Sequence, residues 1–374
     1  MLNLADYDVD PVRGFLPAED PLTELPPEFS EWDRLGRELP YLLLTNRVRS
    51  TLATMTTPDL SLLTTNGELE RAMQILSCLG MAYIWGEQPA VDRLPAALAV
   101  PWAAVADRLG RPPIVTHASV VLNNWRRLDP NDGINADNLA CIQHFLGGMD
   151  EQWFFTATVE LEAVGAAALL PLVEAKDGAT SGNVGLVVKK LEQMQKVFKK
   201  VNVALLRIYE RCDPHIFYYR IRPFMAGWNQ DGLIFEGVSD TPSKLNGASA
   251  AQSSLFQAYD AGLGIEHLHP ETQPFLTLMR DFMPLKHRQF VEELGAGESI
   301  YDFAQANKKE SPQLVEAFNR CIDELDEFRK IHMEVAVRYV LKAAKEGEDG
   351  LGTGGTSFVP FLSEARKETK AKRT

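Results

Sequence analysis

The stretch "FRKIHMEVAVRYVLKAAKEGEDGLGTGGTSF", Phe328–Phe358, reads as an amphipathic helix running into a glycine-rich loop. On a 3.6-residue period His332 shares a face with Phe328, Ile331, Val335, Ala336 and Tyr339. Glu327, Arg329, Glu334 and Arg338 point mostly elsewhere. A histidine on an oily stripe has two readings. One is a core histidine bonded to a carbonyl. The other is the single axial ligand of a haem, which needs an imidazole nitrogen aimed into a dry, apolar cavity. The loop carries G-x-G-x-x-G at Gly350, Gly352 and Gly355. It follows a helix, whereas a dinucleotide fingerprint follows a strand and opens a helix. Its glycines suit close backbone approach to a ligand, a moving lid or a plain flexible loop.

Outward from this stretch the pattern stays helical. In "GLVVKKLEQMQKVFKKVNVALLRIYERCD", Leu191, Met194, Val197, Val201, Leu205 and Ile208 step by three or four residues with lysines opposite. "ELERAMQILSCLGMAYIWG" places Leu69, Met73, Leu76 and Leu79 or Gly80 on one stripe. Strand-like alternation is scarce apart from short candidates such as "GLIFEGV", Gly232–Val238. The first ~30 residues are punctuated by proline and read as an ordered, irregular arm. The predicted fold is all-α: a small helical domain over residues 1–146, a hinge at "GGMDEQ", and a larger helical bundle over 147–374.

Composition narrows the function. The 374 residues carry a net charge of −13, which a phosphate backbone would repel, so no nucleic-acid partner is expected. The basic C-terminal residues Arg366, Lys367, Lys370, Lys372 and Arg373 read as a solvated, frayed tail. Four scattered cysteines form no C-x-x-C, which argues against a zinc knuckle, c-type haem attachment or a disulfide framework and suits a reducing compartment. The N-terminus has neither the basic nor the apolar region of a signal peptide. Trp153–Val173 is the longest apolar run, but Glu160, Glu162 and Pro171 favour a buried helix over a membrane span. A cytoplasmic protein without a membrane partner is expected.

Several residues carry chemical options. Phe154, Thr158 and Glu162 fall at i, i+4 and i+8, which suits a mostly apolar pocket with one polar handle. It equally suits a helix core whose threonine bonds back to its own carbonyl. "HIFYYRIRPFMAGW", His215–Trp228, embeds Arg220 and Arg222 among aromatics. An arginine forks onto carboxylates and stacked rings suit a flat substrate, while structural salt bridges are the plainer reading. "EHLHP", Glu266–Pro270, suggests either a metal pair or a polar loop.

Taken in order along nearly the whole chain, ten fragments resemble the indoleamine 2,3-dioxygenase family. They include "GFLP" at Gly14–Pro17, "MAYIWG" at Met81–Gly86, "LAVPW" at Leu98–Trp102 and "PPIV…LNNWRRLDP". "WFF…VELEA", "IRPFMAGW", "DGLIFEGV", "GASAAQSSLFQAYD", "FRKIHMEVAVRYV" and "GTGGT" complete the series. The resemblance implies a b-type haem with His332 as proximal ligand and ferrous iron for activity. It implies insertion of both atoms of dioxygen across the indole C2–C3 bond of L-tryptophan, or a close analogue, to give N-formylkynurenine. An electron donor would keep the iron reduced. By position it makes Phe154 the aromatic against the indole, Phe217 and Tyr218 an aromatic pair at the substrate, and Arg222 the carboxylate anchor, with Arg220 structural or exposed. Ser249 and Ala250 fall on a loop near haem and substrate, Thr356 on a mobile loop, and Asp260 behind the proximal side. No residue is implied as acid or base. The chain departs from the family at Thr158, where a serine is familiar, and at His117, where animal members have tyrosine. The sister tryptophan 2,3-dioxygenases bond the indole N–H with a distal histidine, so His117 has either that role or a packed one. Two other functions fit the resemblance: a haem enzyme rearranging a substituted tryptophan, and a non-catalytic haem or indole sensor.

Overall fold

The computed structural model describes residues 2–228, 230, 232–344, 352–355 and 357–374. Helices dominate, as the periodicity predicts. The two longest, Val184–Leu206 and Pro312–Ala336, pack along one another. Val187, Leu191, Met194, Phe198 and Val201 are buried on the first, and Phe318, Cys321, Ile322 and Leu325 on the second. Of the predicted stripe Leu191, Met194 and Val201 are buried, while Val197 and Leu205 are half-buried beside the deeper Phe198. The stripe is interrupted before Ile208, where the helix ends at Leu206 and a short turn, Ile208–Arg211, begins.

Asn66–Trp85 differs from its expected single stripe. Leu69 through Ala82 are all buried, polar Glu70, Arg71 and Gln74 included. The helix is central because neighbours close in from every side. A Cβ on Gly80 would stand 2.1 Å from the Trp102 ring, so only glycine admits that approach. The polar side chains are paired within the core. Arg111 forks onto Glu70 at 2.6 and 2.5 Å, and Arg71 bonds both Asp33 and Gln74. A capping box starts the helix: Glu68 N–H donates to Thr65 Oγ1, and Thr65 N–H to Glu68 Oε2.

The strands are small. Leu233–Phe235, inside the expected "GLIFEGV", pairs parallel with Arg93–Leu94 and antiparallel with Ser239–Ser243. Arg126–Arg127 and Leu139–Ala140 make a two-stranded ribbon.

Two apolar cores result. One is built largely before residue 160 and takes in Phe217, Phe224, Ile331 and Tyr339 from later segments. The other joins the helices after 168 and recruits Leu4, Val9 and Phe15 from the N-terminal arm. That arm is ordered, with Phe15 edge-on to His287 at 4.9 Å and to Phe290 at 5.8 Å.

The C-terminal residues are not frayed. They form the helix Phe358–Ala371, and acids on neighbouring elements explain why. Arg366 pairs with Asp326, Arg373 with Asp323 and Lys372 with Glu266, while Phe361 packs edge-on to Phe275. Among the described residues Met149–Thr180 is the one stretch apolar and long enough to cross a membrane. It consists of two helices meeting at Ala167–Ala168, and 61% of its apolar window is buried in protein.

Candidate active site

A cavity of about 330 Å³ is bounded by both long-range features that the sequence singles out: the His332 helix and the helix Met149–Ala166. Three wide π-type turns, Ala118–Leu122, Phe217–Ile221 and Val337–Leu341, each give it at least one side chain. Such turns break ordinary helical spacing and re-aim side chains, and they concentrate at functional sites.

His332 lines this cavity and is half-buried. Phe328 stacks on it at 6.1 Å and 19°, and Phe256 stacks on Phe328 at 4.1 Å. Burial, and then the Arg329 cation, push the imidazole down to about 4. It is therefore neutral at pH 7, the form whose lone pair binds iron. Among the described residues no group hydrogen-bonds its ring, so the core-histidine reading lacks its carbonyl.

Arg329 is a correction. It lines the cavity instead of pointing away, three residues before His332 and so on an adjoining face. Its guanidinium meets Asp260 Oδ1 at 2.5 Å and Thr369 Oγ1 at 2.6 Å. Asp260 Oδ2 lies 3.1 Å from His267 Nε2, whose Nδ1 lies 2.9 Å from Glu368. Burial works against the Asp260 anion, but Arg329 and His267 outweigh it and hold the carboxyl below its ordinary value. "EHLHP" thus resolves as part of a hydrogen-bonded chain, and no group of three metal-binding side chains occurs among the described residues.

Along Met149–Ala166 the face of Phe154, Thr158 and Glu162 does line the cavity. The Thr158 hydroxyl donates to the Phe154 carbonyl at 2.8 Å, the back-bonded arrangement. Phe154 packs on Phe217 at 4.7 Å, and Phe217 edge-on to Tyr339 at 5.6 Å. Arg222 lines the cavity with its guanidinium over the Tyr218 ring at 4.9 Å, and Arg220 is exposed. Tyr218 is buried but does not line the cavity: the turn sends Phe217 inward and sets Tyr218 against Arg222 and Tyr219. Ser249 and Ala250 line it, the Ser249 hydroxyl accepting from Ala251 N–H. His117 lines it with Nε2 at 2.9 Å from Glu162 Oε1. Gly352, Thr353 and Gly354 also line the cavity, whereas Thr356 and Gly350 lie outside the described residues.

Sequence reasoning missed Arg329, Glu368, Ser253 and Gln252, and it flagged His267 only within "EHLHP". The signals were weak: charged residues at i−3 of His332, and an isolated pair of histidines 65 and 63 residues before it, as numbered.

A neutral, unbonded imidazole facing an apolar cavity with cations at its edge fits a haem with one protein ligand, and that places the chain among helical haem proteins. Comparison narrows the class. The family model described as Indoleamine 2,3-dioxygenase matches residues 3–372, and the chain belongs to that family. It is 33% identical to Indoleamine 2,3-dioxygenase 2 of Mus musculus, over 98% of this chain and 95% of the relative. Identity to Indoleamine 2,3-dioxygenase of Saccharomyces cerevisiae is 31%, over 98% and 93%. Identity to the 6-hydroxytryptophan 2,3-dioxygenase of Fusarium equiseti is 32%, over 98% and 97%. The family's enzymes are haem-dependent dioxygenases acting on tryptophan and related indoles.

Proposed function

We propose that this chain is a haem b dioxygenase that opens the indole ring of L-tryptophan to N-formylkynurenine. The carrying observation is that His332 lines an apolar cavity that also holds Arg222, Phe154 and Phe217. His332 would hold the haem iron, and reduced haem would supply the binding and activation of dioxygen. In the net reaction the C2–C3 bond breaks and each carbon leaves with one oxygen atom.

The chain's own residues bind, orient and keep water away. Arg222 takes the substrate carboxylate, steadied from beneath by Tyr218. Phe154 and Phe217 pack on the indole, and their apolar surroundings exclude water around the reacting carbons. Ser249, Ala250 and Thr158 shape the wall beside the ring. No acid or base is required, because the indole is itself electron-rich. Asp260 acts indirectly by fixing Arg329 beside the His332 wall.

The same reading takes residues 1–146 as a smaller domain and 147–374 as the haem-holding domain. An electron donor would keep the iron ferrous. A cytoplasmic setting suits four free, buried cysteines, and the charge of −13 disfavours nucleic acid.

The test is aerobic turnover of the reduced, haem-loaded protein with L-tryptophan, followed by product mass with isotopic dioxygen. A product carrying both labelled atoms is expected. Haem-loaded protein that returns a rearranged product without both atoms would overturn ring cleavage.

A further inference from the structure

Gly352, Thr353 and Gly354 line the cavity, and Gly355 follows them. Three glycines and one threonine have almost no side chain to bury, so apolar packing does little to place this wall. Polar ties must do it. Gly355 N–H closes a turn onto the Gly352 carbonyl at 2.8 Å. Among the described residues two side-chain hydrogen bonds tie that turn to the rest of the molecule. Asn246 Nδ2 donates to the Gly354 carbonyl, and the Thr353 hydroxyl donates to the Ala248 carbonyl. Both partners sit on the stretch Asn246–Ala248, immediately before Ser249 and Ala250.

The same stretch also holds the segment that carries Arg222. Arg222–Met225 is a short 3-10 turn, and its Met225 carbonyl accepts from Ala248 N–H at 2.9 Å. Trp228 N–H donates to the Leu245 carbonyl at 3.0 Å. Gly247 has backbone close on two sides. A Cβ there would stand 2.1 Å from the Met225 carbonyl oxygen and 2.6 Å from the Thr353 carbonyl oxygen. Three segments therefore meet at Asn246–Ala248. Through it the Gly352–Gly354 wall and the Arg222 turn are placed relative to one another.

Asn246 is the part of this junction that works through its side chain onto Gly354. It is half-buried and does not line the cavity, so its effect on a ligand passes through Gly354. The wall it holds offers bare backbone N–H and C=O groups, the partners that a carboxylate and an ammonium use.

We propose that Asn246 is a positioning residue for the amino-acid end of the substrate, holding the Gly352–Gly354 wall beside the Arg222 turn. The favoured ligand class is an indole bearing an α-amino acid side chain, over an indole without one. The inference rests on the reading of Arg222 as the carboxylate anchor and adds the residue that sets the wall next to it.

The experiment is spectral titration of the haem-loaded ferric protein, which reads binding without turnover. The ligands are L-tryptophan and 3-methylindole, which keeps the ring and lacks the amino-acid end. The variants are Asn246→Ala, which removes the side chain, and Asn246→Asp, which keeps its shape but, once ionised, only accepts. One lost hydrogen bond corresponds to roughly threefold to tenfold in affinity. Both variants should bind L-tryptophan weaker by that factor, with 3-methylindole binding and haem content as in the wild type. Where one variant fails to load haem, the other decides. Unchanged affinity for L-tryptophan overturns the inference. So does an equal loss for both ligands, which a general loosening of the cavity would give. Loss of haem from both variants also overturns it, because Asn246 would then be a structural residue. A wild type that binds 3-methylindole as tightly as L-tryptophan would instead bring down the carboxylate reading of Arg222, and this inference with it.

Discussion

Asp260 and Glu162 are buried acids on the same cavity, yet their oxygens are used differently. Asp260 closes a hydrogen-bonded chain that runs from Arg329 through His267 to Glu368, with a partner on each oxygen. Glu162 gathers its two partners on one oxygen and leaves the other buried without one. A saturated network fixes the shape of its wall whatever the cavity contains. The Glu162 side instead keeps one acceptor inside the protein without a donor.

The most severe way to break this contrast is His332→Ala. Haem content should fall to a small fraction of wild type, checked by the Soret-to-protein absorbance ratio after gel filtration. Normal haem content would remove the ligand assignment. Arg222→Ala should keep haem and lose about a hundredfold or more in kcat/KM for L-tryptophan, as expected when a charged hydrogen-bonded anchor is removed. Unchanged kinetics would end its carboxylate role.

Asp260→Asn tests the saturated wall through stability. Leaving Arg329 without its anion should cost about 3 kcal/mol, read by denaturant unfolding at pH 7. The sign of the pH dependence follows from the direction of the shift. Asp260 is held below its ordinary 3.8, so its contribution is present above that value and lost as pH falls through the folded value. The gap between wild type and variant should therefore narrow below about pH 4; a gap that widens there would contradict the pairing. Smaller still, Glu151→Gln should lower stability by roughly 1–3 kcal/mol through weakened backbone hydrogen bonds while leaving ligand selectivity alone. A change in selectivity would mean that Glu151, which does not line the cavity, nonetheless tunes it. Lys372→Ala, which removes a surface pair with Glu266, should stay within about 1 kcal/mol of wild type by the same unfolding measurement.

Much of the fold was legible because period and burial agree on the long helices. Val184–Leu206 shows its buried stripe in sequence, and His332 stands out because an imidazole interrupts an apolar face. Asn66–Trp85 was not legible in the same way: its buried Glu70, Arg71 and Gln74 are tolerated only because partners from distant segments meet them. The π-type turns hid the aim of Phe217 and Tyr218, since a wide turn re-phases side chains without a distinctive composition. The C-terminal basic residues looked solvated because their acidic partners lie roughly 40 to 106 positions away in sequence. The pairing of Glu162 depends on where Ser253 and His117 land, which spacing does not encode.

The last segments described also set an order of events. Gly352, Thr353 and Gly354 line the cavity, Asn246 Nδ2 donates to the Gly354 carbonyl, and Phe358 and Phe361 add further wall. The Thr353 carbonyl comes so near Gly247 that a Cβ there would stand 2.6 Å from it. Translation delivers these residues after every other part of the pocket. A nascent chain can collapse its earlier helices on the ribosome, but it presents the cavity with one side missing. Haem captured at that stage would meet an exposed rim, so durable loading belongs to the time after residues 352–365 have emerged. The earlier helices by themselves leave the cavity with an open side, which these late segments close.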